Sequence, residues 1–184
     1  MIPIISIVGT SDSGKTTLIE KLVPELVRRG YRVATIKHDV HGFEVDREGK
    51  DSWRHKQAGA HTVVISSPRK LALIRDVDHD AELGELRDKY IRDVDIILSE
   101  GFKRNPQPKI EVFRKEKRRE LLCAKEDNLL ALATDEAFDI GVPCFGLDDA
   151  PGMVDLIEEK FLKGKKTSSV ELRVNGQPIP LSSF

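Results

Sequence analysis

Apolar positions in the first third of the chain fall into two runs separated by a polar, glycine-rich turn. Ile2 to Val8 is almost uninterruptedly apolar, which suits a strand buried on both faces of a parallel sheet. After the turn, Leu18, Leu22 and Leu26 share one helical stripe with Ile19 and Val23 beside it. Arg28, Arg29 and Gly30 predict the end of that helix, with cations near its carbonyl terminus and a glycine to leave it. Pro24 falls inside the helix, removes one backbone bond and predicts a kink.

The rest of the chain keeps alternating. Arg32 to Lys37 predicts a second strand, residues 38–50 a polar loop, and Asp51 to Ala58 a short helix. Thr62 to Ser66 and Lys70 to Arg75 flank Ser67-Pro68-Arg69 and predict a small hairpin or two edge strands. Ala81 to Ile91 has a helical pattern, and Asp95 to Ser99 is a third buried-strand candidate. Lys109 to Phe113, Leu129 to Ala133 and Val142 to Leu147 add three strands, and Met153 to Leu162 a last helix. Strands alternating with helices predict an α/β fold, a three-layer sandwich on a mostly parallel sheet. Ser169 to Leu181 alternates around Asn175-Gly176, a type I′ hairpin signal, after a polar linker at Gly164 to Ser168. The expected organisation is one domain over residues 1–163, with a linker and hairpin extension over 164–184.

Composition narrows the class. With 184 residues the chain is the size of one ordinary domain. Its 30 Lys+Arg against 31 Asp+Glu leave a net charge of -1, so no global field draws it to nucleic acid or an anionic membrane. The apolar runs are strand-sized, far short of the ~20 residues a membrane span needs. The first residues carry neither a basic stretch nor a small-residue cleavage site, which predicts no signal peptide and a cytoplasmic location. Cys123 and Cys144 sit among apolar neighbours and read as reduced, buried thiols.

The turn after the first strand carries the chemistry. Gly9, Thr10, Ser11, Asp12, Ser13, Gly14, Lys15 and Thr16 fit G-x-x-x-x-G-K-S/T at every fixed position, between a strand and a helix. Gly9 and Gly14 let the backbone turn its N–H groups around a phosphate. The helix directs its positive end at the same oxygens. Lys15 supplies a cation for the β- and γ-phosphates, the Thr16 hydroxyl can ligate Mg2+, and Thr17 is placed to reach the α-phosphate. Residues 1–163 thus read as a P-loop nucleotide-binding domain.

A metal at such a loop needs an acidic partner. Glu100, at the exit of an apolar strand, reaches the same sheet edge; Asp95 stands at the strand entrance, about 17 Å away if extended. In the polar loop, Asp46 is a candidate to hold a metal-bound water or orient an attacking one. His38 and His41 lack a third ligand at suitable spacing and read as solvated or structural. Asp51 reads equally well as a helix cap. Arg114 to Arg119, interleaved with Glu116 and followed by Glu120, reads as a solvated turn or an anion-binding patch.

Taken together, several motifs resemble one family. They are the phosphate loop, Lys37-His38, His41-Gly42-Phe43, Asp46, Gly49-Lys50-Asp51-Ser52, Arg54, Ala58-Gly59-Ala60, Glu100-Gly101-Phe102-Lys103 and Pro108-Lys109-Ile110-Glu111. Over residues 1 to about 160 the chain is similar to MobB, the molybdopterin-guanine dinucleotide biosynthesis protein B family of P-loop GTP-binding proteins. The resemblance implies a cytoplasmic homodimer that binds GTP with Mg2+ and hydrolyses it weakly. It also implies work beside a molybdopterin guanylyltransferase-type enzyme and molybdopterin carriers, assisting formation of molybdopterin guanine dinucleotide. On it, Gly9 to Thr17 hold the phosphates, Lys15, Asp46 and Glu100 serve the reaction, and Thr16, Asp46 and Glu100 serve the metal. A guanine-specific N-K-x-D is absent; Asp135, after Ala133-Thr134, is its nearest counterpart, and equally a turn aspartate.

Two other classes fit the residues alone. A P-loop kinase would transfer the γ-phosphoryl to a small metabolite, with Arg114 to Arg119 as its only lid candidate. A scaffold would use nucleotide merely to stabilise its fold. Slow hydrolysis fits the lack of an evident water-orienting glutamine or arginine finger, such a finger being worth roughly 10³–10⁵ in rate; Arg47 and Arg54 are the candidate suppliers, in cis or across a dimer.

Overall fold

The computed structural model describes residues 1–39, 42–116, 120–136 and 138–163, and two strands at 172–174 and 177–179. Six strands form one sheet: β1 (Ile4–Val8), β2 (Val33–Lys37), β5 (Ile96–Glu100), β6 (Lys109–Phe113), β7 (Leu129–Thr134) and β8 (Cys144–Phe145). Their order is β2-β5-β1-β6-β7-β8, and every pairing is parallel. All carboxyl ends therefore open on one edge, where the loops after β1, β2, β5, β6 and β7 converge.

Alternation along the strands sets the two faces. Ile5, Ile7, Ile96 and Leu98 face helices α1 (Lys15–Arg28) and α4 (Ala150–Ile157). Leu18, Leu22 and Leu26, the predicted stripe, are the buried residues of α1, each stabilising by about 1.5–3 kcal/mol on full burial. Ile4 and Ile97 face the opposite way and pack with Leu83 of α3 (Leu83–Tyr90); Val8 and Leu132 on that face pack with Cys123 and Leu129. The helices on both faces make the expected three-layer α/β sandwich.

Helix α1 ends as its sequence predicts. Gly30 takes φ 88°, its N–H bonds the Val27 carbonyl at 2.9 Å, and the Tyr31 N–H bonds the Leu26 carbonyl at 3.1 Å. These two bonds satisfy carbonyls that the helix end would leave orphaned. Pro24 is exposed, so its missing donor lies on the solvent side of a helix that stays continuous. Arg29 ties α1 to α4, donating to Glu25, Asp155 and Glu158 at 2.6–2.7 Å.

Helix α2 (Asp51–Gln57) precedes the predicted hairpin, β3 (Thr62–Ser66) and β4 (Leu71–Arg75), which pair antiparallel as a separate sheet. Val63 is buried, whereas Val64, Leu71 and Leu73 lie on the other face and are exposed. Two readings change. Cys123 is buried but Cys144 is exposed, because β8 is a two-residue edge strand. Asp51 is the first residue of α2, with no side-chain cap, where a carboxylate favours the helix dipole.

The terminal helix begins at Ala150, where the Asp149 carboxylate accepts the Gly152 N–H at 3.0 Å, and closes with a π-helical turn, Glu158–Leu162. Strands β9 (Leu172–Val174) and β10 (Gln177–Ile179) pair antiparallel. The linker and Asn175-Gly176 lie outside the described residues, as do His41 and residues 117–119.

Candidate functional site

The phosphate loop leaves buried β1 at Gly9 and enters α1 at Gly14. A side chain at Gly9 would place its Cβ 2.5 Å from Ser13 Oγ and 2.8 Å from the Val112 carbonyl, so only glycine lets the loop close this tightly. Gly14 has φ 101°, a backbone that L side chains rarely adopt. Asp12, at φ 57°, is a non-glycine in the left-handed region. Ser13 Oγ is buried without a hydrogen-bond partner, in a loop whose turn aims at the sheet edge. Such backbone, closed around a hollow at a helix N-terminus, has the chemistry of an anion cradle.

Lys15 and Thr16 follow at the start of α1. The Lys15 ammonium donates to the Thr10 carbonyl at 2.7 Å, which folds it back over the loop. Burial holds its pKa below the ordinary lysine value; Glu100 pulls it back up, and Lys103 pushes it down. The Thr16 hydroxyl lies 3.0 Å from both carboxylate oxygens of Glu100. Parallel pairing of β1 with β5, with Ile7 opposite Glu100, brings these residues together across the sheet edge. A hydroxyl and a carboxylate beside a phosphate cradle are hard oxygen donors of the kind Mg2+ takes.

Glu100 opens into a cavity of about 840 Å3 that starts at Gly9 and Lys15 and runs to the segment before α3. Its wall, residues 101–107, is rigidly held. Lys109, fully buried, donates to the carbonyls of Asn105 (2.5 Å), Asp127 (2.7 Å) and Gln107 (3.3 Å). Asn105 in turn donates to Ser6 Oγ at 3.1 Å. Phe102 adopts φ 53° and stacks on His38 with ring centroids 4.4 Å apart. His38 Nε2 lies 2.9 Å from an Asp80 oxygen, so this histidine is structurally engaged.

Other sequence candidates fall elsewhere. Asp46 does not line this cavity; it stands with Arg47, Lys50, Asp51 and His55 around a separate depression against β3. One Asp46 oxygen accepts the Arg47 N–H at 2.9 Å and the other is buried without a partner. Arg54 is exposed on α2, and among the described residues the arginine that lines the cavity is Arg104. Thr17 is exposed in the first turn of α1. Asp135 is exposed just past β7, two strands from β1 on the same edge, hence about 10 Å away along the sheet. Among the described residues no three His, Cys, Asp or Glu side chains cluster as a preformed metal site.

The sequence names Lys109 and Glu111 only within a family motif and Arg114 only within a basic run, and gives none of them its structural role. Glu111 is buried, its carboxylate accepting the N–H groups of Leu122 (2.7 Å) and Cys123 (2.9 Å). Arg114 donates through Nε to the Ser13 carbonyl at 3.1 Å, and so touches the phosphate loop. Alternation in β6 pointed to a strand, and its charges gave no sign of burial.

Residues 4–135 match the family described as Molybdopterin guanine dinucleotide synthesis protein B, MobB. A molybdopterin-guanine dinucleotide biosynthesis adapter protein of Haemophilus influenzae is 40% identical over 158 residues, 85% of this chain and 88% of the relative. The adapter protein of the same description from Escherichia coli is 34% identical over 170 residues, 89% of this chain and 95% of that one. A crystal structure of molybdopterin-guanine biosynthesis protein B superposes with a TM-score of 0.70 at 37% identity, covering 85% of this chain and 98% of that one.

Proposed function

The chain belongs to the molybdopterin guanine dinucleotide synthesis protein B (MobB) family, and from that premise we propose that it is an adapter in forming molybdopterin guanine dinucleotide, binding GTP with Mg2+ at its phosphate loop. The observation that carries this reading is the Thr16–Glu100 pair beside the Gly9–Gly14 cradle. Backbone N–H groups of residues 9–17 and the Lys15 ammonium hold the phosphates, and Thr16 and Glu100 hold the metal. Mg2+, when bound, neutralises charge on the phosphate oxygens. Asp135 is the carboxylate on the guanine side.

The protein works as a cytoplasmic accessory to a molybdopterin guanylyltransferase-type enzyme and to molybdopterin carriers, with hydrolysis at most slow. Supporting slow turnover, the expected water-orienting Asp46 lies outside the cavity. A homodimer is supported by the exposed apolar face of β3–β4, where Val64, Leu71 and Leu73 meet water. Residues 1–163 form the nucleotide-binding domain, and 164–184 an appended linker and hairpin.

Calorimetry of GTP and ATP, each with Mg2+, on wild-type and Lys15→Ala protein tests the reading. A GTP preference that disappears in the variant is expected. Equal or tighter ATP binding overturns the guanine assignment, and no binding of either overturns the nucleotide site.

A further inference from the structure

The Thr16–Glu100 pair and Lys15 lie toward β5, which fixes the γ-phosphate and metal end of a bound nucleotide on that side of β1. A polyphosphate held by the loop therefore leaves it on the opposite side, over the ends of β6, β7 and β8. Arg114 is the first residue after β6, one strand from the loop, and Asp135 the first after β7. The Arg114 side chain folds toward the loop rather than into solvent. Its Nε donates to the Ser13 carbonyl, and a Cβ on Gly14 would stand 3.8 Å from its Nη2. Its field also reaches Asp148, after β8, whose carboxyl is held below its usual range chiefly by Lys21 and further by Arg114.

We infer that Arg114 is a nucleoside-side clamp, its planar guanidinium covering the sugar and purine of the bound nucleotide between the phosphate loop and Asp135. This rests on the nucleotide reading above. The bond to Ser13 engages the guanidinium through Nε and holds it beside the loop, where its face can stack on a purine ring. Arginine suits this role because a delocalised, weakly hydrated cation stacks on π-systems where a lysine ammonium does not.

The inference separates from a purely loop-positioning role by the ligand used. Calorimetry would compare GDP with inorganic tripolyphosphate, each with Mg2+, on wild-type, Arg114→Lys and Arg114→Ala protein. The inference expects GDP affinity to fall about tenfold in both variants while tripolyphosphate stays within about twofold. Equal losses for the two ligands, or no loss for GDP, overturn it. Wild-type protein that binds neither ligand removes the nucleotide reading itself, a distinct failure. Should a variant not fold, phenylglyoxal modification of wild-type Arg114, read by peptide mass spectrometry, decides. Protection by GDP but not by tripolyphosphate supports the clamp, and equal reactivity with and without GDP overturns it.

Discussion

The Thr16 hydroxyl and the Glu100 carboxylate, 84 positions apart in the chain, sit 3.0 Å from one another at the mouth of the phosphate loop. Neither is a site alone. Parallel pairing of β1 and β5 brings them together as two oxygen donors beside a turn of backbone N–H groups. Replacing Glu100 by Gln keeps the size and removes the charge. Mg2+-dependent GTP affinity should then fall by about 10–100-fold, the loss seen when a metal site loses a supporting group. Titrating with and without Mg2+ checks this, and an unchanged Mg2+ dependence would remove Glu100 from the metal site.

Glu100 also acts on Lys15. Burial lowers the lysine pKa and the nearby carboxylate partly restores it. In Glu100→Gln the restoring charge is gone, so Lys15 should titrate at lower pH than in the wild type. NMR titration of the Lys15 side chain reads this directly. A shift upward, or none, would mean that the two charges do not feel each other.

The closure at Gly9 is steric. A methyl group there meets Ser13 Oγ at 2.5 Å and a main-chain carbonyl at 2.8 Å, and the carbonyl belongs to β6 and cannot swing away. Gly9→Ala should abolish GTP binding and cost about 1–3 kcal/mol of stability, as overpacking does. Thermal unfolding and calorimetry on the same sample check both. Full GTP affinity in this variant would show that the loop opens more freely than its packing indicates.

Much of this was legible in the chain. The Leu18–Leu22–Leu26 stripe, the apolar runs of β1, β5 and β7 and the Gly30 helix end follow from local period and propensity, and local rules govern them here. Glu100 was legible because a carboxylate ending a buried strand must emerge at the sheet edge. Lys109 and Arg114 were not, because their partners are backbone carbonyls supplied by distant loops: Asn105, Gln107 and Asp127 for one, Ser13 for the other. Alternation says which face a residue takes, not whether polar groups wait there. The place of Asp46 was not legible for a related reason: a polar loop has no period to fix its course, and Asp46 stands in the depression beside β3 while His38 and Asp39 line the cavity.

Lys109 offers a direct test of that buried network. Its ammonium satisfies three carbonyls beneath the loop that walls the cavity. Lys109→Met preserves the apolar stem and strands those acceptors, each at roughly 1–3 kcal/mol. The melting temperature should fall by about 10 °C, given ~2–4 °C per kcal/mol for a domain of this size. A melting temperature within error of wild type would mean that water or neighbouring donors take over the carbonyls.

Acid should loosen the seam between α1 and its flanking charges. Hydrogen bonds from Arg28 and then Arg29 hold the Glu25 carboxyl down at about 2. A carboxylate depressed in the folded state binds its proton more readily when unfolded, so its stabilising effect is complete above the ordinary carboxylate range. That effect is lost as pH falls toward about 2. Wild-type stability, followed by urea unfolding at a series of pH values, should therefore decline through this window more steeply than that of Glu25→Gln. Near neutrality the variant should be the less stable of the two, and toward pH 2 the curves should converge. Parallel curves across the whole window would mean that Glu25 contributes no proton-linked stability.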